Sequence, residues 1–132
     1  MKNINDLVDL WVEKAESDLI TAGHVLKIRP KPPADISCFH SQQSAEKYLK
    51  AFMIKAGIKV EKTHNLEDLI LLCSGVDRSF QSIRKEAVSL TPYAVETRYP
   101  GAMEGLSLAE AKEALKKAGV IKKFVLKKMK NI

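Results

Sequence analysis

One short run, His40-Ser41-Gln42-Gln43-Ser44-Ala45-Glu46-Lys47, offers an imidazole, two amides, a carboxylate and an ammonium, with Ala45 the only apolar residue among them. At about 100° per helical residue, His40, Gln43, Lys47 and Lys50 share one arc. Gln42 falls in the middle of the neighbouring apolar stripe of Cys38, Ala45, Leu49, Phe52, Met53 and Ala56, which has Phe39 at its edge, and Glu46 stands at its border. A buried amide must be hydrogen-bonded and a buried carboxylate paired, or each costs on the order of several kcal/mol. Packing alone would not select these residues. Further along, Arg98-Tyr99-Pro100 adds a guanidinium and a phenol in an irregular segment, where functional side chains tend to collect.

These groups suit a ligand site of polar contacts. Lys47, Lys50 and Arg98 supply cations, Tyr99 an aromatic face, and His40, Gln42 and Gln43 polar edges, with Glu46 in the same set. Neither a Walker loop nor a dinucleotide GxGxxG occurs, so such a site would be built from side chains between helices. The structural alternative is an internal network, for instance Glu46 meeting Lys14 or Arg98, or a polar seam between two protomers. Trp11 and Met53 read as packing residues, and His64, just before Asn65, as a partner for loop backbone.

The elements that must position these residues read as helices. Residues 5–27 place Leu7, Val8, Trp11, Ala15, Leu19, Ala22 and Leu26 on one side of a helical period, and Pro30, Pro32 and Pro33 end it. A second helix spans about 34–56, with Asp35 near its start and Gly57 suited to a left-handed C′ position. Asn65 caps a short helix to about Cys73, stopped by Ser74-Gly75. A fourth helix over about 76–90 would bury Phe80, Ile83, Ala87 and Leu90. Residues 91–106, with Pro92, Pro100, Gly101 and Gly105, are too punctuated for regular structure, and Ser107 with Glu110 forms a capping box for the last helix. No stretch alternates with the period of a strand, so the expected fold is all-α, an antiparallel up-and-down bundle of four long helices plus a short one.

The chain of 132 residues, 45% apolar and 29% charged, has room for one core and hence one domain spanning 1–132. Its longest apolar run, Leu69 to Cys73, is far short of the roughly 20 residues of a membrane helix, and the start lacks the apolar centre of a signal peptide. A cytoplasmic protein with no membrane association is expected, with Cys38 and Cys73 as reduced core residues. The net charge of +6 is carried by residues 107–132, where eight lysines face two glutamates. Lys112, Lys116, Lys123, Lys127 and Lys130 form a stripe opposite Ala111, Ala114, Leu115, Ala118, Ile121, Val125 and Met129. That stripe is a solvated face or an attractor of nucleic acid or an acidic partner, but it has no Arg and no interleaved aromatic for base stacking.

Four ordered segments carry a family resemblance: Trp11-x-x-Lys14-Ala15-x-x-Asp18-Leu19; Cys38-Phe39-His40-Ser41-Gln42-Gln43-Ser44-Ala45-Glu46-Lys47-Tyr48-Leu49-Lys50-Ala51; Thr63-His64-Asn65-Leu66; and Arg98-Tyr99-Pro100. Together they resemble the HEPN domain, the higher-eukaryote and prokaryote nucleotide-binding family, over about Asn5 to Lys130. The resemblance implies an all-helical up-and-down bundle that commonly pairs into a homodimer. Many prokaryotic members of that family act beside a separate minimal nucleotidyltransferase, often as a toxin-antitoxin pair. The family also resembles the helical domain of some antibiotic nucleotidyltransferases, where it helps form the substrate site.

Ribonuclease members instead use an Arg followed a few residues on by a His, joined across a dimer interface for acid/base work and phosphate holding. No His follows Arg29, Arg78, Arg84 or Arg98 at that spacing. What the resemblance then implies is a nucleotide-binding or substrate-binding partner of a minimal nucleotidyltransferase, with Lys47, Lys50 and Arg98 meeting phosphates, Tyr99 stacking on a base and His40, Gln42 and Gln43 reading polar edges, and with no catalytic residue, no metal and no cofactor beyond a nucleotide such as ATP as ligand. A ribonuclease acting on RNA, assembled from His40 or His64 with Arg98, and a structural dimerisation module are the alternatives.

Overall fold

The computed structural model describes residues 3–94 and 105–132. Among the described residues five α-helices run in chain order, α1 (Ile4–Val25), α2 (Ala34–Lys55), α3 (Leu66–Ser74), α4 (Arg84–Leu90) and α5 (Leu108–Met129), and no strand occurs. The fold is the expected all-helical one.

Local chemistry sets the ends. The Asn3 side chain accepts from the Asp6 amide, and Asn65 Oδ1 accepts from Glu67 N at 2.9 Å. Ser107 and Glu110 exchange reciprocal bonds of 3.0 and 3.2 Å, the anticipated capping box. At the far end of α2, Gly57 takes φ +76°, which lets Gly57 N reach Ile54 O and Ile58 N reach Met53 O, a Schellman closure.

Among the described residues the bundle has three long helices rather than four. Where one helix was expected over 76–90, a 3-10 segment (Arg78–Ile83) leads into α4, with the join at Ile83 (φ −110°, ψ 13°). Val76 N and Asp77 N both bond Cys73 O, closing off α3, and the Asp77 side chain then caps Ser79 N at 2.9 Å. Phe80 and Ile83 are three residues apart and eclipse on a 3-10 turn, so the burial pattern Phe80, Ile83, Ala87, Leu90 is met without a continuous α-helix. Of residues 91–106, Thr91–Tyr93 forms a further short 3-10 turn.

Helix directions follow from who touches whom. Ser37 Oγ donates to Ala22 O, His40 bonds Asp18 and Tyr48 bonds Glu16, so α2 ascends as α1 descends. Leu115 lies beside Gly23 and Lys122 beside Glu16, so α5 also runs antiparallel to α1. Central α2 contacts every other helix. It is buried at Ser37, Cys38, Ser41, Gln42 and continuously from Ser44 to Met53 apart from Lys47. Small residues at Ser37, Ser41, Ser44 and Ala51 suit the close approach of α1. On the other side Phe52, Phe80 and Phe124 make a chain of rings with centroids 4.5 and 4.9 Å apart.

Two features of the outer helices refine the expectations. Residues 4–7 of α1 are exposed, so Leu7 lies outside the core although it shares the apolar side of the helix. On α5, Lys112, Lys116, Lys123, Lys127 and Lys130 lie on the solvent side, opposite buried Ala111, Ala114, Ala118, Ile121, Val125 and Met129. Among the described residues no helix is long and apolar enough to cross a membrane.

Candidate functional site

The polar residues of α2 separate into two connected groups, each built around a carboxylate. The outer group lies on the α1–α2 seam. Asp18 Oδ1 bonds His40 Nδ1 at 2.9 Å, and Asp18 Oδ2 accepts from Lys47 Nζ. Asp18 is 11% exposed, whereas His40 and Lys47 keep 27% and 25% of their side-chain surface in solvent. An acid is thus held inside while its two nitrogen-bearing partners reach the surface. Phe39 braces His40, edge to face, at 5.3 Å.

The inner group is centred on Glu46, which receives Gln42 Nε2 at 3.1 Å, Lys50 Nζ at 3.0 Å and His64 Nδ1 at 2.9 Å. Gln42 also donates to His64 O at 3.2 Å and accepts from Gln43 Nε2 at 2.6 Å, and this last bond joins the inner group to the half-buried Gln43. Glu46 and Lys50 are only 5% and 8% exposed, so the ammonium is committed to its carboxylate and rests 6.0 Å from the centre of the Trp11 ring. Such a pair is tolerated because the carboxylate has three donors and the amide of Gln42 is satisfied at both ends.

A third link, Glu16 between Lys122 and the Tyr48 hydroxyl, ties α1 to α5 and α2. The hydrogen bond from Lys122, with that from Tyr48, holds the Glu16 carboxyl below its usual range. Burial, with the same bond to Glu16, pushes the Tyr48 phenol up.

Of the eight singled-out residues, the structure sets His40 and Lys47 around Asp18, and Gln42, Gln43 and Lys50 around Glu46; Arg98 and Tyr99 lie outside the described residues. Glu46 meets Lys50, Gln42 and His64 and not Lys14, which is exposed on α1. His64 does more than serve loop backbone, since its ring binds the buried acid. Trp11 is only partly buried against the core, while Met53 is fully inside.

Sequence reasoning missed Asp18 as a site residue. Its signal was present: it sits in the helical stripe of Trp11, Ala15 and Ala22, so a charge falls beside a buried face, the same sign that drew attention to Gln42.

An antiparallel helical core with a polar seam on its central helix defines the class of protein, and comparison with known proteins places it. The HEPN domain model matches residues 8–129, and the chain belongs to the HEPN family. It is similar to the crystal structure of TT1696 from Thermus thermophilus, with 30% identity and a TM-score of 0.77 over 92% of this chain and 97% of that one. It is also similar to ST0689, an archaeal HEPN homologue, with 25% identity and a TM-score of 0.73 over 98% and 99% of the two chains. No curated protein matches the chain.

Proposed function

We propose that this HEPN protein binds a nucleotide at the α1–α2 seam and serves as the nucleotide-binding or substrate-binding partner of a separate minimal nucleotidyltransferase, as a homodimer. The observation that carries the reading is the division of labour on α2. Lys50 and Glu46 neutralise one another inside, while Lys47, His40 and Gln43 keep solvent-facing surface side by side. Lys47 gives one ammonium hydrogen to Asp18 and retains two for an anion; Gln43 and His40 supply an amide and an imidazole beside it. Membership of the family and the position of Arg98 and Tyr99 in the sequence support the same reading.

Thermal melting with each of the four ribonucleoside triphosphates tests it. A ligand at about 100 times its dissociation constant adds about 2.7 kcal/mol, a shift of several degrees. One nucleotide is expected to stabilise the protein, and Lys47→Ala and Arg98→Ala are expected to abolish the gain. No shift with any nucleotide, alone or with the nucleotidyltransferase, would sink the proposal.

The ribonuclease alternative draws on one observation, the Asp18–His40 pair, which resembles the acid-oriented imidazole of a general base. Growth arrest on expression that is relieved by His40→Ala or Arg98→Ala, with cleaved RNA, would favour it. A purely structural role for the inner network predicts instead that Gln42→Leu changes oligomeric state without altering any ligand affinity.

A further inference from the structure

We infer that Asp18 is a positioning residue that fixes His40 with its proton on Nδ1, so that Nε2 accepts a hydrogen bond from a hydroxyl or amino donor of the bound nucleotide. The geometry leads there in three steps. A carboxylate only accepts, and both Asp18 oxygens are occupied, one by His40 Nδ1 at 2.9 Å and the other by the Lys47 ammonium. His40 Nδ1 must therefore be the donor, and in the neutral ring the lone pair is left on Nε2. No described residue bonds Nε2, and the ring keeps surface in solvent. Phe39 against the ring and Asp18 against its inner nitrogen restrict its rotation.

The assignment sorts the chemistry of the seam. Lys47 remains the donor for a phosphate oxygen, while the His40 ring in its neutral form, with its lone pair on Nε2, repels one and accepts from a donor. A ligand that satisfies both carries a donor near an anionic oxygen, as a ribose hydroxyl or a base amino group does in a nucleoside phosphate. This rests on the nucleotide reading for its ligand, but the state of His40 is a property of the free protein.

The experiment has two arms. In 15N-labelled protein with the ring neutral, two-bond proton–nitrogen spectra are expected to show His40 with its proton on Nδ1. Asp18→Ala is expected to lose that preference and Asp18→Asn to weaken it; the second variant keeps the side-chain shape if the first folds poorly. A proton on Nε2 in the wild type, or a tautomer indifferent to Asp18, overturns the inference.

In the binding arm, ATP is compared by calorimetry with its 2′-deoxy and 3′-deoxy analogues and with inosine triphosphate. The two deoxy compounds test a ribose hydroxyl and inosine triphosphate tests the base amino group. One of these losses is expected to weaken binding about tenfold, the scale of one hydrogen bond, and Asp18→Ala is expected to erase the difference. Equal binding of all four overturns the donor assignment. If no nucleotide binds while Nδ1 carries the proton, the nucleotide reading fails and the positioning role of Asp18 stands.

Discussion

Glu46 and Lys50 sit 3.0 Å apart inside the bundle, where neither charge has water to fall back on. Removing one partner of such a pair strands the other, whereas replacing both with apolar groups of similar size can be nearly neutral. Glu46→Ala is therefore expected to lower unfolding free energy in urea by about 3–5 kcal/mol, and adding Lys50→Met to recover most of it. A loss under about 1 kcal/mol would place the pair with weak surface ion pairs. The buried thiols make a second residue-scale prediction. Burial pushes Cys38 up to about 11 and Cys73 up to about 12, from an ordinary 9.0. The folded state favours the neutral thiols, so their contribution is full below pH 9 and is lost as pH rises through those values. Melting temperature should fall above about pH 9, and less steeply in a Cys38→Ala, Cys73→Ala double variant.

Helix ends and joins decide matters at the scale of elements. Gly57 takes φ +76° with open space where a Cβ would stand, so Gly57→Ala meets backbone strain and no clash. A loss of about 1 kcal/mol is expected by denaturation, and an unchanged midpoint would mean that α2 ends in another way in solution. Ser107→Ala removes half of the reciprocal cap on α5 and should also cost about 1 kcal/mol. The segment between α3 and α4 illustrates why apolar spacing underdetermines an element: Phe80, Ile83, Ala87 and Leu90 satisfy a 3-10 turn joined to a helix as well as one long helix. The capping side chain of Asp77 and the turn bonds to Cys73 O choose between them.

For the whole molecule, cohesion comes from a central helix surrounded by the rest. Phe80 is fully buried between Phe52 of α2 and Phe124 of α5, so Phe80→Ala opens a cavity shared by three elements. The expected loss is about 3–5 kcal/mol, with unfolding by urea still a single transition followed equally by circular dichroism and Trp11 fluorescence. Two separated transitions would mean that α3 and α4 form a unit apart from the three long helices.

The sequence by itself determined the helical class, three of the four long helices to within a residue or two, the caps at Asn65, Gly57 and Ser107, and the oddity of α2. These are local properties: the period of apolar residues, the chemistry of a cap, the misfit of an amide in a core stripe. Only the tertiary structure decided which acid serves which base. Glu46 pairs four residues along its own helix and with a loop histidine rather than with Lys14, and Asp18, which the sequence placed in a family motif without a site role, reaches across from α1 to His40 and Lys47. Spacing in the chain says which face a side chain occupies. Which residue stands opposite depends on how far one helix is slid and turned against another, and that is settled by the packing of Ser37, Ser41, Ala51 and the other residues between them.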